Sequence, residues 1–170
     1  MKKILMIAVM FFMSISTFAS IKLTSGDVKS VVSDCKEINV SLDLSNTKYK
    51  KTLPFGDFLS KATRANNWEE ESLRCFIQEM NKKTFRHGFE SHLESENVSA
   101  KYVLVIAPTN VTKKGEVEGE ALLKEVSTGQ IVAEFNVVSG DGDDDDDIAL
   151  RDALRDLGET FGKFFCKFLK

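Results

Sequence analysis

Apolar positions recur along this 170-residue chain with two different periods, and each stretch of constant period predicts an element. Ile38, Val40, Leu42 and Leu44 alternate with Asn39, Ser41 and Asp43. That period of two predicts a strand with one face on a core, ended by the turn residues Ser45 and Asn46. Tyr102-Val103-Leu104-Val105-Ile106 is apolar at both parities, rich in β-branched residues and closed by Pro108, which predicts a central strand buried on both faces. Lys113-Lys114-Gly115 makes a turn into two further strands, residues 117–126 and 131–138, joined by Ser127-Thr128-Gly129-Gln130 as a hairpin loop. On the last of these Ile131, Ala133, Phe135 and Val137 share a face.

The helical period appears twice with clarity. Asn67 can cap a helix with Glu70 at the reciprocal position, and Leu73, Phe76, Ile77 and Met80 then form one stripe, ended by Lys82 and Lys83 at the negative pole of the macrodipole. Residues 148–169 predict a long final helix, because Leu150, Leu154, Leu157, Phe161, Phe164 and Phe168 step alternately by four and three. A shorter helix within residues 53–65 would use Pro54 in its first turn. Residues 20–37 read as a surface lead-in, and residues 84–99 as polar and irregular. Helices set apart from a meander of strands predict an α+β two-layer sandwich. Its mostly antiparallel sheet has about four strands, with the helices on one face and the long C-terminal helix among them. Residues 20–170 form one domain.

The N-terminus changes where this domain is expected to work. Lys2 and Lys3 precede an apolar run over residues 4–13, and Thr17-Phe18-Ala19 supplies small residues for cleavage after Ala19, so residues 1–19 read as a secretory signal peptide. The segment is too short and too diluted by Ser14, Ser16 and Thr17 to match the roughly 20 apolar residues of a spanning helix. No cysteine stands near the cut to carry a bacterial lipid anchor. Cleavage leaves 151 residues and takes the basic count from 23 to 21 against 26 acidic, a net charge of −5. That balance lacks the clustered Lys and Arg of a nucleic-acid surface. Cys35, Cys75 and Cys166 are an odd set, so at most one disulfide can form within the chain. Cys75 and Cys166 both fall off the apolar stripes of their helices, a poor placement for a bridge.

Four groups of residues carry candidate chemistry. Asp141, Asp143 and Asp145 have the alternate spacing of a calcium loop, but Asp146 stands where an EF-hand needs glycine and Asp152 where it has glutamate. A solvated acidic loop leading into a helix N-terminus is the simpler account. His87 and His92 match neither H-E-x-x-H nor its inverse, and belong to an exposed loop rather than a zinc site. Glu118 and Glu120 share a strand face, and paired carboxylates do acid–base work only where a cleft shifts one of them. Phe165 and Leu169 widen the apolar arc of the last helix beyond what one sheet face usually covers, which makes them candidates for partner docking or membrane-surface contact, while core packing is the simpler account because Leu150 and Leu154 continue the same line. The sequons at Asn39, Asn97 and Asn110 are chance matches, Asn39 lying within a strand. No nucleophile elbow, P-loop or dinucleotide fingerprint is present, and no cofactor other than calcium is indicated.

Leu23-Thr24-Ser25-Gly26-Asp27, Lys36-Glu37-Ile38-Asn39-Val40, Ala100 through Ile106 and Leu157-Gly158-Glu159-Thr160-Phe161-Gly162-Lys163-Phe164 together resemble a family of exported, functionally uncharacterised proteins of Bacteroidetes. The order of strands and the 127–130 hairpin are also similar to the α/β module of periplasmic accessory proteins, such as the curli-secretion channel subunit and activators of penicillin-binding proteins. The resemblance implies no catalytic or ligand residues. The expectation is a non-catalytic secreted or periplasmic domain that binds another envelope component, a protein, with no membrane-spanning segment left after cleavage. The alternatives are a hydrolase of envelope polymers acting through Glu118 and Glu120, and a calcium-dependent binding module. Mass analysis of the protein recovered from a bacterial envelope should give Ser20 as its first residue; a chain that keeps Met1 in the cytosol would contradict the export reading.

Overall fold

The computed structural model describes residues 19–59, 68–112, 114–140 and 146–170, except the side chains of residues 59, 68 and 146–150. Its chain order is β1 (Ser20–Gly26), α1 (Val28–Asp34), β2 (Glu37–Leu42), β3 (Lys48–Tyr49), β4 (Leu53–Pro54), α2 (Phe55–Leu59), α3 (Trp68–Thr84), a single 3₁₀ turn (Phe85–His87), β5 (Glu90–Leu93), β6 (Tyr102–Val111), β7 (Val117–Glu125), β8 (Ile131–Val138) and α4 (Asp146–Phe165). The architecture is a mixed α/β sheet with a terminal helix, and the sheet has eight strands rather than about four.

Six strands run in the order β1-β8-β7-β6-β2-β5, and the short β3–β4 pair joins β6 through β3. The β6-β7-β8 meander is antiparallel, as expected, and β1 adds to it antiparallel through β8. The other half is parallel: β2 lies between β5 and β6 and runs with both. Four strands escape the periodicity argument: β3 and β4 have only two residues each, and β1 and β5 are edges. β1 shows only Ile21 and Leu23 to the core, and β5 has four residues, Glu-Ser-His-Leu. An edge strand earns its place through backbone pairing on one side and needs little apolar surface.

The unpaired side of β5 is closed by a helix side chain. Asn81 of α3 donates through Nδ2 to the Ser91 carbonyl at 2.9 Å, and its Oδ1 accepts from the Ser91 N–H at 2.8 Å and from the Ser91 hydroxyl at 2.8 Å. One amide thus stands in for a neighbouring strand and leaves the buried Ser91 satisfied.

The segment expected as a lead-in is instead β1 followed by a capped helix. Gly26 has φ +91, and a Cβ there would collide with the Val132 carbonyl, so only glycine makes this turn. Asp27 then caps α1, its Oδ1 accepting from the Lys29 and Ser30 N–H groups at 2.9 and 3.3 Å. Val28, Val31 and Val32 follow at helical spacing and are buried. In β6 the strand runs through Pro108 to Val111, because a register shift between Pro108 and Asn110 absorbs the missing donor. Ile131 is 43 % exposed, since the β7–β8 ladder slips between Leu123 and Lys124 and turns it off the core face. Pro54 ends β4 rather than opening the helix, and α2 starts at Phe55. Asn67, the expected cap of α3, lies outside the described residues.

Ladder register sorts the side chains onto two faces. Ile38, Val40, Leu104, Ile106, Ala121, Leu123, Ala133, Phe135 and Val137 share one face and are fully buried beneath the helices. Phe76 and Met80 of α3 and Leu154, Leu157, Phe161 and Phe165 of α4 complete this core. Phe135 meets Phe161 edge-on with centroids 5.3 Å apart, and Phe76 meets Phe161 at 5.7 Å.

The two long helices touch through backbone. A Cβ at Gly158 would overlap the Phe76 carbonyl, and one at Gly162 would lie 2.8 Å from the Met80 carbonyl. Cys166, four residues further on, donates its thiol to the Lys83 carbonyl at 3.3 Å. The three contacts advance together along α3 and α4, so the helices run side by side in the same direction with small residues at the seam. Lys83 and Glu159 close the outer side at 3.0 Å. Gly158→Ala should cost about 1–3 kcal/mol, lowering Tm by roughly 2–4 °C for each kcal/mol. Gly56→Ala, with nothing within 4 Å of the added atom, should change Tm little; equal effects in calorimetry would contradict the close seam.

Candidate functional site

The opposite face of the sheet carries the residues of the other parity and stays partly open. Val105 and Leu122 are directly paired across β6 and β7 at its centre, both half-buried, and Leu122 pairs onward with Glu134. Ala107 is half-buried and Val138 is 39 % exposed, whereas Val132, at the β7–β8 register shift, packs against the core. Polar residues surround them: Lys124, Glu120, Glu118, Glu134, Asn136 and Lys22. At the β2 end this face is closed by the connection from β5 to β6, where Asn39, 3 % exposed, donates to the Asn97 carbonyl at 2.6 Å. The arrangement is an apolar strip in a charged border on a rigid sheet, suited to contact with another macromolecule.

The expected acid–base pair falls on this same face. Glu118 accepts from Asn110 Nδ2 at 3.4 Å, Glu120 is exposed, and Gly119 stands between them. Gly119 allows β6 and β7 to approach at the Pro108 irregularity, a Cβ there being 2.5 Å from the Ala107 carbonyl. The two carboxylates lie on a sheet surface and do not converge in a cleft.

His87 and His92 separate. His87 sits in the 3₁₀ turn and takes a bond from Arg86 Nε at 3.1 Å, whereas His92 is on β5 with Nε2 3.6 Å from Glu37 Oε2 and 4.0 Å from Glu90 Oε2. Among the described residues no three of His, Cys, Asp and Glu are arranged to hold a metal ion. Asp141, Asp143 and Asp145, the calcium candidates, lie outside the described residues, as does the leader.

Phe165 and Leu169, the candidate docking residues, pack in the core, the simpler of the two readings. Phe165 is fully buried against Phe89, with centroids 5.6 Å apart, and Leu169 is 8 % exposed. The sheet is wider than expected, and Phe89, just before β5, supplies surface that covers the broader arc. The chain after Phe165 then folds back, Phe168 and Leu169 both donating to its carbonyl. Neither residue is open to a partner. The three thiols are free and half-buried.

A cluster the sequence reading missed ties the lower end of the fold. Asp34, the last residue of α1, accepts from Lys101 Nζ at 2.6 Å and from the Tyr102 hydroxyl at 2.8 Å. These two bonds hold the Asp34 carboxyl below its ordinary range. Burial and then the bond to Asp34 push the Tyr102 phenol up, so it remains a donor. The geometry is that of a latch between α1 and the start of β6, with no open position for a substrate.

No protein-family model matches the chain, and neither does any curated protein. Among solved structures, the chain is similar to the PelC dodecamer of Paraburkholderia phytofirmans, at 11% identity, covering 85% of this chain and 98% of that one with a TM-score of 0.46. A single-substitution variant of that protein gives 12% identity, the same coverage and a TM-score of 0.45. At these values the likeness says nothing about activity or partners. No helix among the described residues is long and apolar enough to cross a membrane.

Because the folded state holds Asp34 ionised more strongly than the unfolded chain does, the latch contributes fully above the ordinary aspartate pKa of about 3.9 and is lost as pH falls through the lower folded value. Asp34→Asn should therefore lower Tm slightly at neutral pH and converge with the parent protein below that value. A Tm difference unchanged from pH 7 to the acid limit would contradict the latch.

Proposed function

We propose that this protein is a non-catalytic domain of the bacterial envelope that binds another envelope protein through the open face of its sheet. The observation that carries the reading is the Val105–Leu122 pair. These two apolar side chains are adjacent on the two central strands, half-buried, on the face opposite the helix layer. Apolar surface held on a stiff sheet and bordered by charge costs little to order on binding, and its border selects the partner. The charge pattern supports a protein partner rather than a nucleic acid, since Glu118, Glu120 and Glu134 outnumber Lys22 and Lys124 on that face. The export signal supports the envelope as its setting. The placement of Glu118 and Glu120 on the same open surface fits specificity at a contact better than acid–base chemistry.

A photo-crosslinking residue placed at position 122 should give a discrete protein adduct in envelope preparations, and one placed at the exposed Arg155 of α4 should not. Leu122→Lys should lose the partner while costing no more than about 1 kcal/mol of stability. Adducts of equal yield from both positions, or none from position 122, would contradict the assignment.

A further inference from the structure

A second surface stands out at the end of the sheet where β6 finishes. The β3–β4 pair is closed by a turn in which Thr52 N–H donates to the Tyr49 carbonyl at 3.2 Å. Its central residues are Lys50 and Lys51, with φ of 51 and 64. Two consecutive left-handed residues are the signature of a type I′ turn, whose central positions favour Asn and Gly because other side chains strain there. Here both are lysines, and the rest of the fold enforces the strain. Lys50 N–H donates to the Val111 carbonyl at 2.8 Å, and Lys51 N–H donates to Oδ1 of the buried Asn110 at 2.8 Å. Tyr49 beneath them stacks on Phe58 at 4.2 Å, and Lys50 Nζ lies 5.0 Å from its ring centre. Lys48, Lys50 and Lys51 are all exposed. Lys114 is exposed in the adjoining β6–β7 turn, since β3 pairs with β6 up to Val111.

We infer that this hairpin, with Lys114 beside it, is a cationic tip that docks the protein on an anionic phospholipid surface. Strain retained where glycine would relieve it points to a use for the side chains themselves. The cations are all lysines, point charges without the planar fork that Arg uses to read a single phosphate, and Lys50, Lys51 and Lys114 sit in turns while Lys48 is exposed on β3. That suits a diffuse charged plane. Each lysine near such a surface strengthens binding roughly fivefold at moderate salt. Three lysines within residues 48–51 form a local cluster in a chain whose net charge is negative. Glu116 and Glu118 lie at the same end, where they accept from Thr112 and Asn110.

The test is flotation of the exported protein with vesicles of phosphatidylcholine alone and with vesicles of equal parts phosphatidylcholine and phosphatidylglycerol. Binding should appear only with the anionic vesicles and weaken as salt rises. The double variant Lys50→Asn, Lys51→Gly should bind roughly 30-fold more weakly while melting at a higher temperature than the parent, because it removes charge and strain together. Lys48→Gln with Lys114→Gln should weaken binding without altering the turn, which keeps the test independent of turn stability. Equal binding to both vesicle types, unchanged binding by either variant, a lower Tm for the turn variant, or preference for a soluble anionic polysaccharide over the anionic vesicles would overturn the proposal.

Discussion

The contact between the backbones of α3 and α4 is the constraint on which this architecture rests. Glycine at 158 and 162 lets α4 lie against the Phe76 and Met80 carbonyls, with the small side chain of Cys166 continuing the line to Lys83. At this spacing Cα–H groups can face carbonyls, and the large residues of each helix are displaced toward the sheet. Phe76, Met80, Leu157, Phe161 and Phe165 therefore reach one common layer of strand residues. A wider separation would split that layer, and Phe161 would no longer bridge Phe76 and Phe135.

This arrangement decides which surfaces remain for function. With both long helices on one face, the other parity of β6, β7 and β8 stays at the surface as a stiff, twisted platform. Val105 and Leu122 are held there by strands whose opposite side is fully buried, so the platform is shaped before any partner arrives. The turns at the sheet end form a separate surface of different chemistry, with lysines rather than an apolar strip. Asn81 at β5 answers a third requirement of an open sheet, since it occupies backbone groups that would otherwise recruit a further strand.

Much of this order was legible where a periodicity ran long enough. The meander from residue 102 to 138, the α3 stripe and the final helix are present with ends shifted by a few residues. β1 and β5 were not legible, because edge strands are held by backbone bonds that leave little trace in side-chain pattern. α1 was readable in principle: Gly26, Asp27 and the spacing of Val28, Val31 and Val32 are a turn, a cap and a stripe. The Gly158 and Gly162 pair was visible as letters, but its meaning depends on Phe76 and Met80, some eighty residues away. The same holds for the site. Phe165 and Leu169 look excessive against four strands and ordinary against a wider sheet, while Lys50 and Lys51 gain significance only from their φ angles.

Leu122 and Leu123 are neighbours in sequence and, in this account, lie on opposite sides of the sheet, one on the open platform and one beneath the helices. Hydroxyl-radical footprinting of the free protein reads that difference directly. Val105 and Leu122 should be oxidised readily while Leu123, Phe135 and Phe161 stay protected. Comparable oxidation of Leu122 and Leu123, or protection of Leu122 in the isolated chain, would contradict an open platform opposite the helix layer.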